Sequence, residues 1–142
     1  MKARAVPIYP SDDPEAVMRR IITLRFAEIL SRSQALTSGG MKGLHDMRIA
    51  CKRLRYALEI FSSQLPYLSE AVKGLRVMQD TLGELHDCDV LAELAMRCSA
   101  ELLQTRLVRD RAQLLVRARA SWQSAFAPRG EFSALISYAK LR

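Results

Sequence analysis

Four residues of one stretch carry the most suggestive chemistry: His45, Arg48, Lys52 and Arg55, spaced i, i+3, i+7 and i+10. At about 100° per helical residue they fall within about 80° of one another. A cation, or an imidazole that can become one, then stands at each turn, ~5.4 Å from the next. Like charges stacked this way repel by a few tenths of a kcal/mol per pair in an isolated helix. A chain that only had to fold would alternate the signs, so the stripe points to an anion lying along it. A second stripe, Lys73, Arg76, Asp80, Gly83 and Asp87, lies about thirty residues further on and also fits helical spacing. Asp89 falls inside the apolar arc of that second helix, where a carboxylate needs a partner. Arginines of the helix that carries the first stripe are its expected partners, because a guanidinium offers a planar fork of donors. Asp87 and Asp89 are thus read as holding cations in place.

The elements that must position these residues are helices. Met47, Ala50, Cys51, Leu54, Ala57, Leu58 and Phe61 form the apolar arc beside the first stripe, on a helix expected from about Lys42 to Gln64. It stops before Pro66, since the residue preceding a proline disfavours helix. An earlier helix is expected from Pro14, with Asp13 as its cap, to about Gln34. Thr37-Ser38-Gly39-Gly40 breaks the chain after it. A third helix runs from Tyr67 or Ser69 to Arg97, with Gly74 and Gly83 inside it, and close approach by a helix or a ligand would explain Gly83. A fourth spans Ala100 to Phe126 and ends at Pro128-Arg129-Gly130. Most of its arginines (Arg106, Arg109, Arg111, Arg117 and Arg119) are expected on a solvated face, Arg106 and Arg109 also being placed to extend the anion surface. Phe132, Leu135, Ile136 and Tyr138 make the last segment amphipathic. The expected organisation is an irregular arm over residues 1–13, an all-α antiparallel four-helix bundle over 14–128, and an amphipathic tail over 129–142. Neither strand alternation nor a Gly-rich phosphate loop is present.

Composition agrees with an anionic partner. The 142 residues carry 22 Lys+Arg against 15 Asp+Glu, a net charge of +7, which favours nucleic acid, inorganic phosphate polymer or anionic lipid. The apolar runs fall short of the ~20 residues a membrane span needs, and the first ten residues lack the apolar stretch of a secretory signal. Cys51, Cys88 and Cys98 form no CxxC pair, and an odd count argues against a disulfide framework, so a reducing cytosol is the expected setting. No metal or cofactor is expected: His86-x-Cys88 puts its two ligands on different helix faces, and His45 and Cys98 complete no tetrahedral set. Aromatics are 6% and do not interleave the basic stripe, which weakens base stacking as a mode of recognition.

Two motifs bring a family into view. His45-x-x-Arg48-x-x-x-Lys52-Arg53-Leu54-Arg55 and Leu82-Gly83-x-x-His86-Asp87-x-Asp89-Val90 together resemble the CHAD family, the α-helical histidine domain. His86 stands where the second motif commonly has another basic residue. The resemblance is direct over residues 44–91 and implies a basic helical surface that binds inorganic polyphosphate without catalysis. Carried over residue by residue, the polyphosphate-facing set is His45, Arg48, Lys52, Arg55, Lys73 and Arg76, with Arg53, Asp87 and Asp89 as supporting ion pairs. Arg53 matches the motif but lies off the stripe, where it would pair with a carboxylate or face a partner. Family members usually carry two such units in one chain, and this sequence has one, so either it is a piece of a longer chain or, as expected here, a homodimer rebuilds the pair, the amphipathic tail supplying apolar surface for it. The resemblance also implies a cytoplasmic protein associated with polyphosphate granules. The alternatives are a phosphoanhydride hydrolase acting through Asp87 and Asp89, a regulatory subunit of one, and a general nucleic-acid binder; nucleic acid is not the favoured partner, and no membrane is expected.

Overall fold

The computed structural model describes residues 1–140, the side chain of Lys140 excepted. The end of the expected tail, Leu141 and Arg142, lies outside the described residues. The molecule is all-α. Its elements are α1 (Pro14–Leu30), α2 (Ala35–Ser38), α3 (Met41–Ile60), a 3-10 turn (Pro66–Leu68), α4 (Ser69–Arg97), α5 (Glu101–Ala125) and α6 (Ser133–Lys140). The four long helices are those anticipated, with informative differences at their ends.

Asp13 occupies the N-cap position of α1 in extended backbone, but its side chain makes no capping hydrogen bond. Pro14 at the first helical position and Glu15 in the first turn carry that start instead. α1 stops at Leu30 rather than near Gln34. Ser31 donates its hydroxyl to the Glu28 carbonyl and Ser33 to the Leu30 carbonyl, local bonds that compete with continued helix. α2 follows, closed by Gly39 in the left-handed region at φ +69°. α3 likewise ends at Ile60, and residues 61–64 are turn.

α3 and α4 run antiparallel: His45 faces His86, and Arg55 meets Gln79. α4 and α5 do the same, with Glu84 paired to Arg117 and Asp89 to Arg111. The main core lies between α1, α3 and α4, where Ile22, Ile29, Met47, Leu54, Leu75 and Leu85 lose all contact with solvent. α4 has 29 residues and α3 has 20, roughly 44 Å against 30 Å, so the α4–α5 hairpin outruns α3. Its tip has a small core of its own around Cys88, Ala95 and Leu107. Val90, Leu91, Leu94 and Leu102 near that tip stay exposed.

The C-terminal segment departs from expectation. Its apolar face is not left over for a second copy: Phe132, Leu135 and Tyr138 are buried in the main core of the same chain. Gly74 is the reason the approach is possible, since a Cβ there would stand 2.9 Å from the Glu131 Cβ and 3.2 Å from the Phe132 ring.

The arm over residues 1–13 has no regular structure but follows a fixed course over α1 and α3. Arg53 donates to the Met1 carbonyl, Arg25 to the Arg4 carbonyl and Arg20 to the Pro7 carbonyl. The Arg4 amide donates to the Glu28 carboxylate at 2.8 Å.

Candidate anion-binding surface

The groove between α3 and α4 gathers most of the proposed residues, and its two ends differ. At the end near the start of α3, the rings of His45 and His86 lie 5.3 Å apart, tilted by 38°. One turn on, the Arg48 guanidinium lies over Gly83. A Cβ built there would meet Arg48 Nε at 3.5 Å and Nη2 at 3.8 Å. That is ordinary contact, so a methyl fits, whereas a longer side chain would displace the guanidinium. The expected close approach of a helix or ligand is therefore not what Gly83 serves; what lies over it is the Arg48 side chain, at ordinary contact distance. His45 Nδ1 and Arg48 Nε are both buried without a hydrogen-bond partner among the described residues. Lys52 is exposed, with its Nζ 5.6 Å from the Tyr56 ring centroid and no ion pair among the described residues. No carboxylate pairs with His45, Arg48, Lys52 or His86 among the described residues.

The other end is internally neutralised. Arg55 donates through Nε to Gln79 Oε1 at 2.9 Å and through Nη1 to Glu59 Oε1 at 2.8 Å. Its Cζ lies over the Tyr56 ring, 4.6 Å from the centroid. Arg76 of α4 donates to the same Glu59 oxygen at 2.9 Å. These are charge-assisted bonds, the stronger class. The Arg76 bond first, and the Arg55 bond after it, hold the Glu59 carboxyl below the usual carboxylate range against the opposing effect of burial. Glu59 is therefore ionised at neutral pH.

Lys73 does not join this group; it is exposed and paired with Glu70 at 2.6 Å. Arg53 is held by the Met1 carbonyl, not by a carboxylate, and its Nη1 is buried without a partner. Asp89 is paired as its burial demanded, but the partner is Arg111 of α5 at 2.6 Å, not an arginine of α3. Asp87 holds no cation among the described residues; it is exposed and lines a pocket between α4 and α5 with Glu84, Cys88, Asp110 and Arg117. On α5, Arg111 and Arg119 donate to carbonyls of Gly39, Leu36 and Thr37 and so tie down α2. Arg106 pairs with Asp110 on its own helix, and Arg109 is exposed.

His86, Gln79 and Glu59 are the groove residues that the stripe alone did not assign. His86 and Gln79 share the α4 arc that faces α3, and seven residues separate them, so helical spacing contained the signal. Cys51 is buried and its thiol is pushed up to about 12, a small core residue and not a reactive one. Among the described residues no three His, Cys, Asp or Glu side chains stand together as a metal site, and no helix is long and apolar enough to cross a membrane.

Compared with known proteins, the family model described as CHAD domain matches residues 2–96, from the arm through nearly all of α4. Neither the curated proteins nor the solved structures gave a match.

Proposed function

Since this chain belongs to the CHAD domain family, we propose that its α3–α4 groove binds inorganic polyphosphate by charge and hydrogen bonding, without catalysis. The family is associated with polyphosphate and triphosphate binding. The observation that carries the reading is the end of the groove formed by His45, Arg48, Lys52 and His86, where cations and imidazoles stand together without an ion-paired carboxylate among the described residues. Leaving Arg48 Nε and His45 Nδ1 unpartnered is unfavourable unless something repays it. A polyanion would draw both side chains outward and supply acceptors.

Titration with long-chain polyphosphate at several salt concentrations tests this. Affinity is expected to fall steeply with salt, by analogy with counterion release from nucleic acids. Arg48→Ala should weaken binding by ~1.5–3 kcal/mol, the scale of a hydrogen bond to a charged group. Arg129→Ala, exposed and far from the groove in sequence, should change little. Wild-type affinity in Arg48→Ala would move the site elsewhere. Release of orthophosphate when a divalent metal is added would favour the hydrolase alternative, and equal competition by duplex DNA at fixed salt would favour a general polyanion binder.

We also propose a homodimer in a cytoplasmic setting. With α6 committed to its own core, we assign the contact with a second copy to the exposed apolar side chains of the α4–α5 tip, Val90, Leu91 and Leu94. Sedimentation equilibrium should give about twice the 16.0 kDa of one chain, and Leu94→Glu should return it to one. A wild-type monomer at micromolar concentration would remove the dimer from the reading.

A further inference from the structure

We propose that Glu59 is a resident anion: its carboxylate fills the Arg55–Arg76 end of the groove in the empty protein, and a long polyanion must displace it to bind along the full length. The inference rests on the groove being a polyanion site. A single Glu59 oxygen accepts from Arg55 of α3 and from Arg76 of α4, at 2.8 and 2.9 Å, which is the bridging geometry a phosphate oxygen would adopt between those helices. Gln79 accepts from the Arg55 Nε, and the Arg55 Cζ lies over the Tyr56 ring. The site is thus assembled and occupied at once.

The consequence is a groove of two unequal parts. Around Glu59 two cations meet one anion, so that end presents a net charge of one, and a phosphate approaching it is opposed by the carboxylate. The His45–Lys52 end offers its charges without opposition. Short anions should occupy that end alone. Only a chain long enough to anchor there and continue along the groove reaches Arg55 and Arg76, with its own tethered phosphates competing against Glu59 at high effective concentration. Glu59 is thereby a determinant of ligand length. It sits on the rim, with a side chain 31% exposed, so it can swing out to solvent without opening the core.

Glu59→Gln tests this cleanly, since it keeps the size and one oxygen acceptor and removes the charge. Long-chain polyphosphate should bind on the order of tenfold more tightly, the effect of one charged contact, with a steeper salt dependence. Tripolyphosphate should gain less than about twofold, because it stays at the other end. Arg76→Gln should weaken long chains and spare tripolyphosphate. Thermal unfolding of both variants checks that each remains folded. If Glu59→Gln binds long chains no better than wild type, Glu59 only braces the arginines and the inference fails. An equal gain for short and long ligands would also overturn it, since the groove would not be divided. Should wild type bind no polyphosphate, the functional reading falls, and the same comparison with single-stranded polynucleotide, long against trinucleotide, decides the inference by itself: no gain there, or no binding, overturns it too.

Discussion

Phe132→Ala is expected to destabilise the protein by ~3–5 kcal/mol, the range for removing a large buried aromatic. Phe132 has no exposed surface. Its ring meets Phe126 edge-on at 5.3 Å between centroids and touches Phe26 and Trp122, each at 6.2 Å. The cluster joins α1, the end of α5 and the start of α6, which no long pair of helices would otherwise bring together. Leu135 and Tyr138 follow it into the core at helical spacing, so losing the ring also loosens their hold. Small domains have only ~5–15 kcal/mol of stability in total, and this one change removes a large part of it. Denaturant unfolding of the variant against wild type measures the difference. A loss below about 1 kcal/mol would mean that α6 rests on the surface rather than completing the core.

The second large effect concerns Asp89 and Arg111. Arg111→Ala should cost about 3 kcal/mol, near the low end for removing one partner of a buried pair, because the Arg111 side chain is 27% exposed while that of Asp89 is 8%. The loss includes the Arg111 bond to the Gly39 carbonyl, at 2.7 Å, which anchors the turn between α2 and α3. Asp89→Leu combined with Arg111→Leu should recover much of the loss, since no charge is then left buried alone. A double variant as unstable as Arg111→Ala would show that the carbonyl contact, not the charge pair, matters most.

These residues show how far the sequence could be read. The stripe of His45, Arg48, Lys52 and Arg55 was legible because period and charge coincide on one helix, and the all-α bundle followed from four amphipathic periods. Asp89 could be placed on the buried arc of α4 but not given its partner. A helical wheel fixes the direction in which a residue points, and which neighbour waits there is set by how the helices pack. Glu59 was invisible for the same reason: its i,i+4 relation to Arg55 is written in the sequence, whereas its bond to Arg76 exists only in the register of α3 against α4. The tail was recognisable as amphipathic, yet periodicity does not distinguish an apolar face meant for its own core from one meant for a second copy. The early end of α1 came down to two serine hydroxyls that outbid the next helical turn.

From Met1 to Pro7 the N-terminal arm is hydrogen-bonded through its main chain: arginines from α1 and α3 grip the carbonyls of Met1, Arg4 and Pro7, and Glu28 grips the Arg4 amide, while the Met1 side chain packs on the core and Asp12, nearer α1, pairs with Arg20. Such a grip is blind to side-chain identity but strict about position. Exposed residues between the gripped positions, such as Lys2, Ala3 and Ala5, can be exchanged with little penalty, whereas deleting one of them puts every gripped carbonyl on its N-terminal side out of step with its guanidinium. The arm behaves as a ruler fastened at fixed intervals, tolerant of changed letters and intolerant of changed length.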